Sequence, residues 1–183
     1  MAQKGFYFDM TACSGCKTCQ IACKDVNNLD VGILYRKVYE FEGGKYPTPW
    51  SFPLSIACNH CAEPKCVANC PTGAMYKRPE DGLVIHRREK CIGCRMCLWS
   101  CPYGAPQYNS KTGKAGKCDG CADRVAQGEN PACVDACLMR CLQFGDIEQL
   151  RKKYGGTADI KGLPASNATS PSLTVNPSPP AKR

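Results

Sequence analysis

Sixteen of the 17 cysteines fall into four groups that share one spacing. Cys13, Cys16, Cys19 and Cys23, in CSGCKTCQIAC, read C-x2-C-x2-C-x3-C. Cys58, Cys61, Cys66 and Cys70 keep the opening and the close but widen the middle gap to four residues. Cys91, Cys94, Cys97 and Cys101 restore the first spacing, and Cys118, Cys121, Cys133 and Cys137 stretch the middle gap to eleven. Three cysteines on such a loop can wrap one face of an iron–sulfur cube, with backbone N–H groups turned toward its sulfides. The fourth is expected to open a helix, point away and ligate a neighbouring cube. Proline after Cys70 and Cys101 suits that first helical turn, where no amide hydrogen is needed.

Other sulfur chemistry fits less well. A structural zinc site needs two C-x2-C knuckles and has no use for a third cysteine so soon after the second. Disulfides require an oxidising compartment, and cysteines three residues apart on one loop make strained partners. The spacing therefore points to four [4Fe–4S] clusters held by these sixteen thiolates.

Clusters of this kind come in pairs that exchange their fourth cysteines, as in two-cluster ferredoxins. Between Cys70 and Cys91, AMYKR reads as a strand, PEDG as a turn and LVIH as a returning strand. That hairpin is the connection expected between two halves of one module, so groups two and three pair. Groups one and four then form a second module around the first, opening on the strand GFYFDM and closing on CLQF. The ligand sets become Cys13, Cys16, Cys19 with Cys137; Cys118, Cys121, Cys133 with Cys23; Cys58, Cys61, Cys66 with Cys101; and Cys91, Cys94, Cys97 with Cys70. A sequential pairing, group one with two and three with four, is the rival.

The expected fold is α+β: two ferredoxin-like modules related by a pseudo-twofold, one nested in the other, with an inserted β-hairpin and an extended C-terminal arm. Residues 1–57 are the first half of the outer module with its inserted hairpin. Residues 58–110 are the inner module, 111–155 the second half of the outer module with a C-terminal helix, and 156–183 the arm. The insertion, ILYRKVYEFEGGKYPTPW, reads as a hairpin turning at Gly43 and Gly44, either a docking element or a lid. GDIEQLRKKYGG reads as a short helix with Asp146 as N-cap. The arm, rich in Pro, Ser and Ala, is expected to gain order by lying along a partner subunit.

Composition bounds the function. Without its cysteines the 183-residue chain has few Leu, Ile, Val and Phe for a large apolar core, so metal binding must supply part of the folding free energy. The formal charge of +8 counts every cysteine as neutral. Four oxidised clusters with their thiolates carry roughly −2 each, which brings the total near zero and weakens any nucleic-acid reading. The N-terminus shows no leader, and no stretch approaches the roughly 18–20 apolar residues of a membrane span. A cytoplasmic location is the first expectation, with export alongside a signal-bearing partner as the alternative. No nucleophile or acid–base constellation stands apart from the cysteines. His60, between two ligands, either packs or tunes a cluster; Lys90 and Lys117, each before a ligand cysteine, either offset cluster charge or face solvent.

CIGCRMCLWSCPYGAPQYN, KCDGCADRVAQGENPACVDAC and FGDIEQLRKKYG, with GFYFDMTACSGCKTCQIACKD and SIACNHCAEPKCVANCPTGAM, resemble the iron–sulfur subunit of dimethyl sulfoxide reductase and its relatives. The resemblance covers residues 5 to about 155. It implies four clusters, the nested pairing, and a non-catalytic electron-transfer subunit serving a large molybdopterin (molybdenum or tungsten bis-pterin) catalytic subunit, with a membrane anchor or another redox donor as a further partner. A free polyferredoxin serving several enzymes is the alternative. Two positions depart from the family: Leu138 follows Cys137 where proline is usual, and Cys141 stands where relatives carry alanine. Cys94 occupies a position where some relatives place tryptophan and hold a three-iron cluster, so a full cubane is expected there.

Overall fold

A computed structural model describes residues 3–183; the first two residues, with which the reading of the N-terminus opens, lie outside the described residues. The strands are β1 (Lys4–Asp9), β2 (Lys37–Gly43), β3 (Trp50–Ile56), β4 (Met75–Lys77), β5 (Val84–His86), β6 (Gln107–Asn109), β7 (Lys114–Gly116), β8 (Leu142–Asp146) and β9 (Leu173–Asn176). The helices are α1 (Thr18–Val26), α2 (Lys65–Ala68), α3 (Met96–Ser100), α4 (Ala122–Ala126), α5 (Ala132–Asp135) and α6 (Ile147–Tyr154). The architecture is α+β, with one three-stranded sheet and three two-stranded hairpins.

β1 is the middle strand of the sheet, and its residues from Gly5 to Phe8 are all buried, because both faces are covered. It pairs antiparallel with β8, placing Phe6 opposite Phe144, and parallel with β9, placing Phe8 opposite Val175. The strand before Cys13 thus lies directly against the strand after Cys137. β4 and β5 form the hairpin between the second and third cysteine groups. Its turn is fixed by the buried Asp81, which accepts hydrogen bonds from the Arg78 guanidinium and the Leu83 amide.

β2 and β3 form the inserted hairpin, with Phe41 opposite Phe52 and their rings stacked at 5.1 Å. The turn is broader than Gly43 and Gly44 alone, since Gly43 ends β2 and the chain returns only at Trp50. Val38, Phe52, Leu54 and Ile56 point into the core, so the hairpin covers the molecule as a lid. Helix α6 begins where its sequence indicates: the Asp146 carboxylate accepts the Gln149 amide at 3.0 Å.

Two expectations are corrected by the backbone. The fourth cysteine of a group does not open a helix. In α1 and α3 the helix starts just before the third cysteine, and the fourth follows one turn later, with Cys101 as the C-cap of α3. Pro71 and Pro102 stand beyond helix ends, where their missing amide hydrogen stops propagation. The C-terminal arm also differs from expectation: it folds onto its own chain. Ile160, Leu163, Leu173, Val175 and Ala181 are buried, and β9 takes the free edge of β1, whose hydrogen-bonding groups would otherwise lack partners. Few as they are, these apolar residues are buried together with Thr169, Ser172 and Thr174.

Candidate metal centre

The tight loops that open each cysteine group depend on one left-handed residue just before the second cysteine. Gly15, Gly93 and Gly120 take that place with φ of +71°, +72° and +76°. In the second group His60 takes it, at φ +44°, a conformation that costs a side chain more than glycine. This turn aims amides at sulfur: the Gly15 amide donates to Cys13 Sγ and the Gly120 amide to Cys118 Sγ, each at 3.4 Å. The Met75 amide donates to Cys70 Sγ at 3.4 Å as well. Such bonds stabilise negative charge on sulfur.

Packing of short helices then gathers the groups. Helices of four or five residues cannot persist alone; α1 packs against α5, and α2 against α3. The sulfurs lie in four neighbourhoods. Cys58, Cys61, Cys66 and Cys101 line one cavity together with Pro64, Tyr103 and Lys117. Burial first, and then the neighbouring sulfurs, push Cys61 up to about 11 and Cys66 to about 12. Around Cys97 stand Cys91, Cys70 and Cys94, and burial with their charge raises it to about 11. Cys23 is pushed up to about 12 by burial and by Cys133 and Cys121, while Cys118, fully enclosed, is raised by burial and by Cys23, Cys58 and Cys133. The last neighbourhood joins Cys13, Cys19 and Cys137 in one apolar cluster, with Cys16 beside Cys13.

These neighbourhoods adjoin one another. Cys133 influences both Cys19 and Cys23, Cys58 influences Cys118, and Cys66 packs in one cluster with Cys97. The exposed cysteines are Cys16, beside Cys13, and Cys94, beside Cys97.

Cys141, set apart in the sequence, is inside the first neighbourhood: it is buried, 3.4 Å from Cys137 Sγ. Its proximity to Cys13 lowers the Cys13 thiol, while Cys13, burial and Cys137 raise Cys141 itself. His60 is wholly buried; its Nδ1 accepts the Val84 amide at 3.0 Å, which leaves the proton of the neutral ring on Nε2, 4.0 Å from Cys118 Sγ. Burial and the charges of Lys117, Lys77 and Arg36 keep the ring neutral. Lys117 is buried too, its ammonium donating to the carbonyls of Val84 and Cys118, whereas Lys90 is exposed. Arg36 and Ser55, both buried beside Cys19, went unremarked in the sequence; a lone arginine among 24 basic residues carries no spacing signal.

The donor sets suit iron–sulfur clusters. Buried thiols raised this far stay protonated at neutral pH unless a cation replaces the proton. A tetrahedral zinc ion would draw four sulfurs to about 3.8 Å of one another. Among the described residues no group of three or more His, Cys, Asp or Glu side chains is placed to hold a single metal ion.

A family model described as a 4Fe-4S dicluster domain matches residues 50–147. The chain is 47% identical over 183 residues to the B subunit of anaerobic dimethyl sulfoxide reductase from Escherichia coli (strain K12), covering 96% of this chain and 89% of that one. The corresponding subunit of Haemophilus influenzae is 48% identical over 186 residues, with 97% and 90% covered. The formate dehydrogenase iron-sulfur subunit of Wolinella succinogenes is 35% identical over 189 residues, with 87% and 93% covered. The repeated loops, the thiol neighbourhoods and these matches over nearly the whole length agree: the chain belongs to the 4Fe–4S dicluster family of oxidoreductase iron–sulfur subunits.

Proposed function

We propose that this chain is the electron-transfer subunit of a molybdopterin oxidoreductase and carries four [4Fe–4S] clusters. The ligand sets are Cys13, Cys16, Cys19 with Cys137; Cys118, Cys121, Cys133 with Cys23; Cys58, Cys61, Cys66 with Cys101; and Cys91, Cys94, Cys97 with Cys70. Bound clusters supply one-electron redox centres. The chain's own residues fix their order, exclude water from the middle pair and present the end pair to partners. The boundaries 1–57, 58–110, 111–155 and 156–183, with one ferredoxin-like module nested in the other about a pseudo-twofold, follow from the same sets. Support comes from the packing of α1 on α5 and α2 on α3.

One observation supports this reading: the thiol neighbourhoods adjoin in succession, and the exposed cysteines, Cys16 and Cys94, fall in the sets placed first and last of a row of four clusters. Electrons can enter at one end and leave at the other. Around Cys94, Ile92, Met96 and Trp99 are exposed, and Trp99 keeps 85% of its surface in water. Leu138 and Met139 are exposed next to Cys137. Apolar surface at both termini of the row is what docking to a catalytic subunit and to an electron donor requires. The second reading, a free polyferredoxin, would leave that surface open permanently.

Anaerobic affinity purification of the full chain tests the reading. The expected result is a stable large partner with about one molybdenum or tungsten per complex. Recovery of the iron-loaded chain alone, active with several unrelated redox enzymes, would favour the polyferredoxin.

A further inference from the structure

Arg36 carries a positive charge in the interior with no carboxylate to meet it. It is 2% exposed. Among the described residues no ion pair involves it, and its Nε and Nη2 have no hydrogen-bond partner. The Phe6 ring lies 4.7 Å from its guanidinium carbon. Its Nη1 donates to the Ser55 hydroxyl at 3.1 Å and, more distantly, to the Ser55 carbonyl at 3.5 Å. A guanidinium stripped of water is costly unless something anionic compensates it. The groups in reach that become anionic when a metal displaces their protons are sulfurs: although burial works against the charge, Cys133, Cys118, Cys19 and Cys23 raise the Arg36 pKa above its ordinary value.

The Ser55 hydroxyl extends this charge to one ligand. Ser55 Oγ lies 3.3 Å from Cys19 Sγ. Arginine can only donate, so the oxygen of Ser55 accepts from Arg36 and its own hydrogen is free to point at Cys19. A hydroxyl polarised by a cation is a stronger donor, and the low local dielectric strengthens each bond in the chain.

We propose that Arg36 and Ser55 are a potential-setting pair: the buried guanidinium, acting through the Ser55 hydroxyl on Cys19 Sγ, favours the reduced form of the cluster that Cys19 holds. Reduction adds negative charge, which a fixed cation and a donated hydrogen bond stabilise, so the pair raises that cluster's potential. Arg36 and Ser55 are positioning residues, since neither is a ligand. The inference rests on Cys19 being a ligand, as proposed above.

The test uses the full chain in its native complex, purified anaerobically, with potentiometric titration followed by electron paramagnetic resonance. Cys19→Ser first identifies the signal of the Cys19 cluster, and Cys97→Ser identifies a remote one. Ser55→Ala removes only a hydroxyl; the reduced-to-oxidised ratio of the Cys19 signal at fixed potential is expected to fall about tenfold, a midpoint about 59 mV lower for one electron. Arg36→Met is expected to shift the same signal at least as far, and the double variant to fall short of the two shifts added, because the residues act in series. Arg36→Lys keeps the charge and should restore part of the loss, while the Cys97 signal stays in place throughout. If Arg36→Met fails to load iron, Ser55→Ala decides. A reduced-to-oxidised ratio of the Cys19 signal unchanged within twofold in fully loaded Ser55→Ala would overturn this inference alone. A Cys19→Ser protein with every signal intact would overturn the ligand assignment and this inference with it.

Discussion

At the scale of single residues, thiol protonation couples the chain to its metal. Cys23 and Cys66 are pushed up to about 12, and Cys61 and Cys97 to about 11, from an ordinary 9.0, by burial before any other cause. A thiol with a raised pKa favours the neutral form, so the stability it lends the metal-free chain is full below pH 9.0 and is lost as pH climbs toward 11 and 12. Iron must therefore displace protons. Reconstitution in weakly buffered solution at neutral pH is expected to acidify it measurably, with assembly favoured as pH rises; uptake of iron without proton release would contradict the assigned burial. The 4Fe–4S character of the chain was legible because the cysteine spacing that carries it survives without a structure. Arg36, Ser55 and the burial of Lys117 were not, because their meaning comes from residues far away in sequence, such as the Val84 carbonyl that Lys117 reaches.

At the scale of elements, the left-handed turn before the second cysteine is, in three of the four groups, the part that glycine makes possible. Gly93 has φ +72°, and a Cβ there would collide with the Gly113 carbonyl oxygen. Gly93→Ala combines that collision with about 1–2 kcal/mol of left-handed strain, and it is expected to cost the cluster of Cys91, Cys94, Cys97 and Cys70, read as about four fewer irons per chain. Gly73, at φ +64° with nothing within 4 Å of its Cβ position, is the control, and Gly73→Ala should keep full iron. Equal iron in both variants would mean that the turn tolerates a side chain. Exchange of the fourth cysteine between neighbouring groups makes its own prediction. Cys101→Ser should damage the cluster of Cys58, Cys61 and Cys66 and spare that of Cys91, Cys94 and Cys97; electron paramagnetic resonance showing the reverse would sink the swapped sets. The β4–β5 hairpin, the inserted hairpin and the Asp146 cap were all readable from local turn and capping chemistry. The placement of helices was not. Proline after cysteine fits either the start of a helix or the position beyond its end, and only the backbone shows that it lies beyond.

At the scale of the whole molecule, the apolar core alone is thin. The largest cluster of buried residues includes Cys19, Cys133, Cys137 and Cys141 among its hydrocarbon members, so three of the cysteines proposed as ligands also fill the interior. The formal charge of +8 would be balanced by the four proposed clusters at roughly −2 each. No helix among the described residues is long and apolar enough to cross a membrane. The arm was the least legible part, because its few apolar residues gain meaning only from the edge of β1 that they cover. The proposed row of four clusters, with the exposed Cys16 and Cys94 in its first and last sets, is the feature through which electrons would pass. Iron and acid-labile sulfide counted per chain in anaerobically purified protein test it most directly. About sixteen of each are expected from four cubanes; far fewer irons, with zinc in their place, would contradict a row of four clusters.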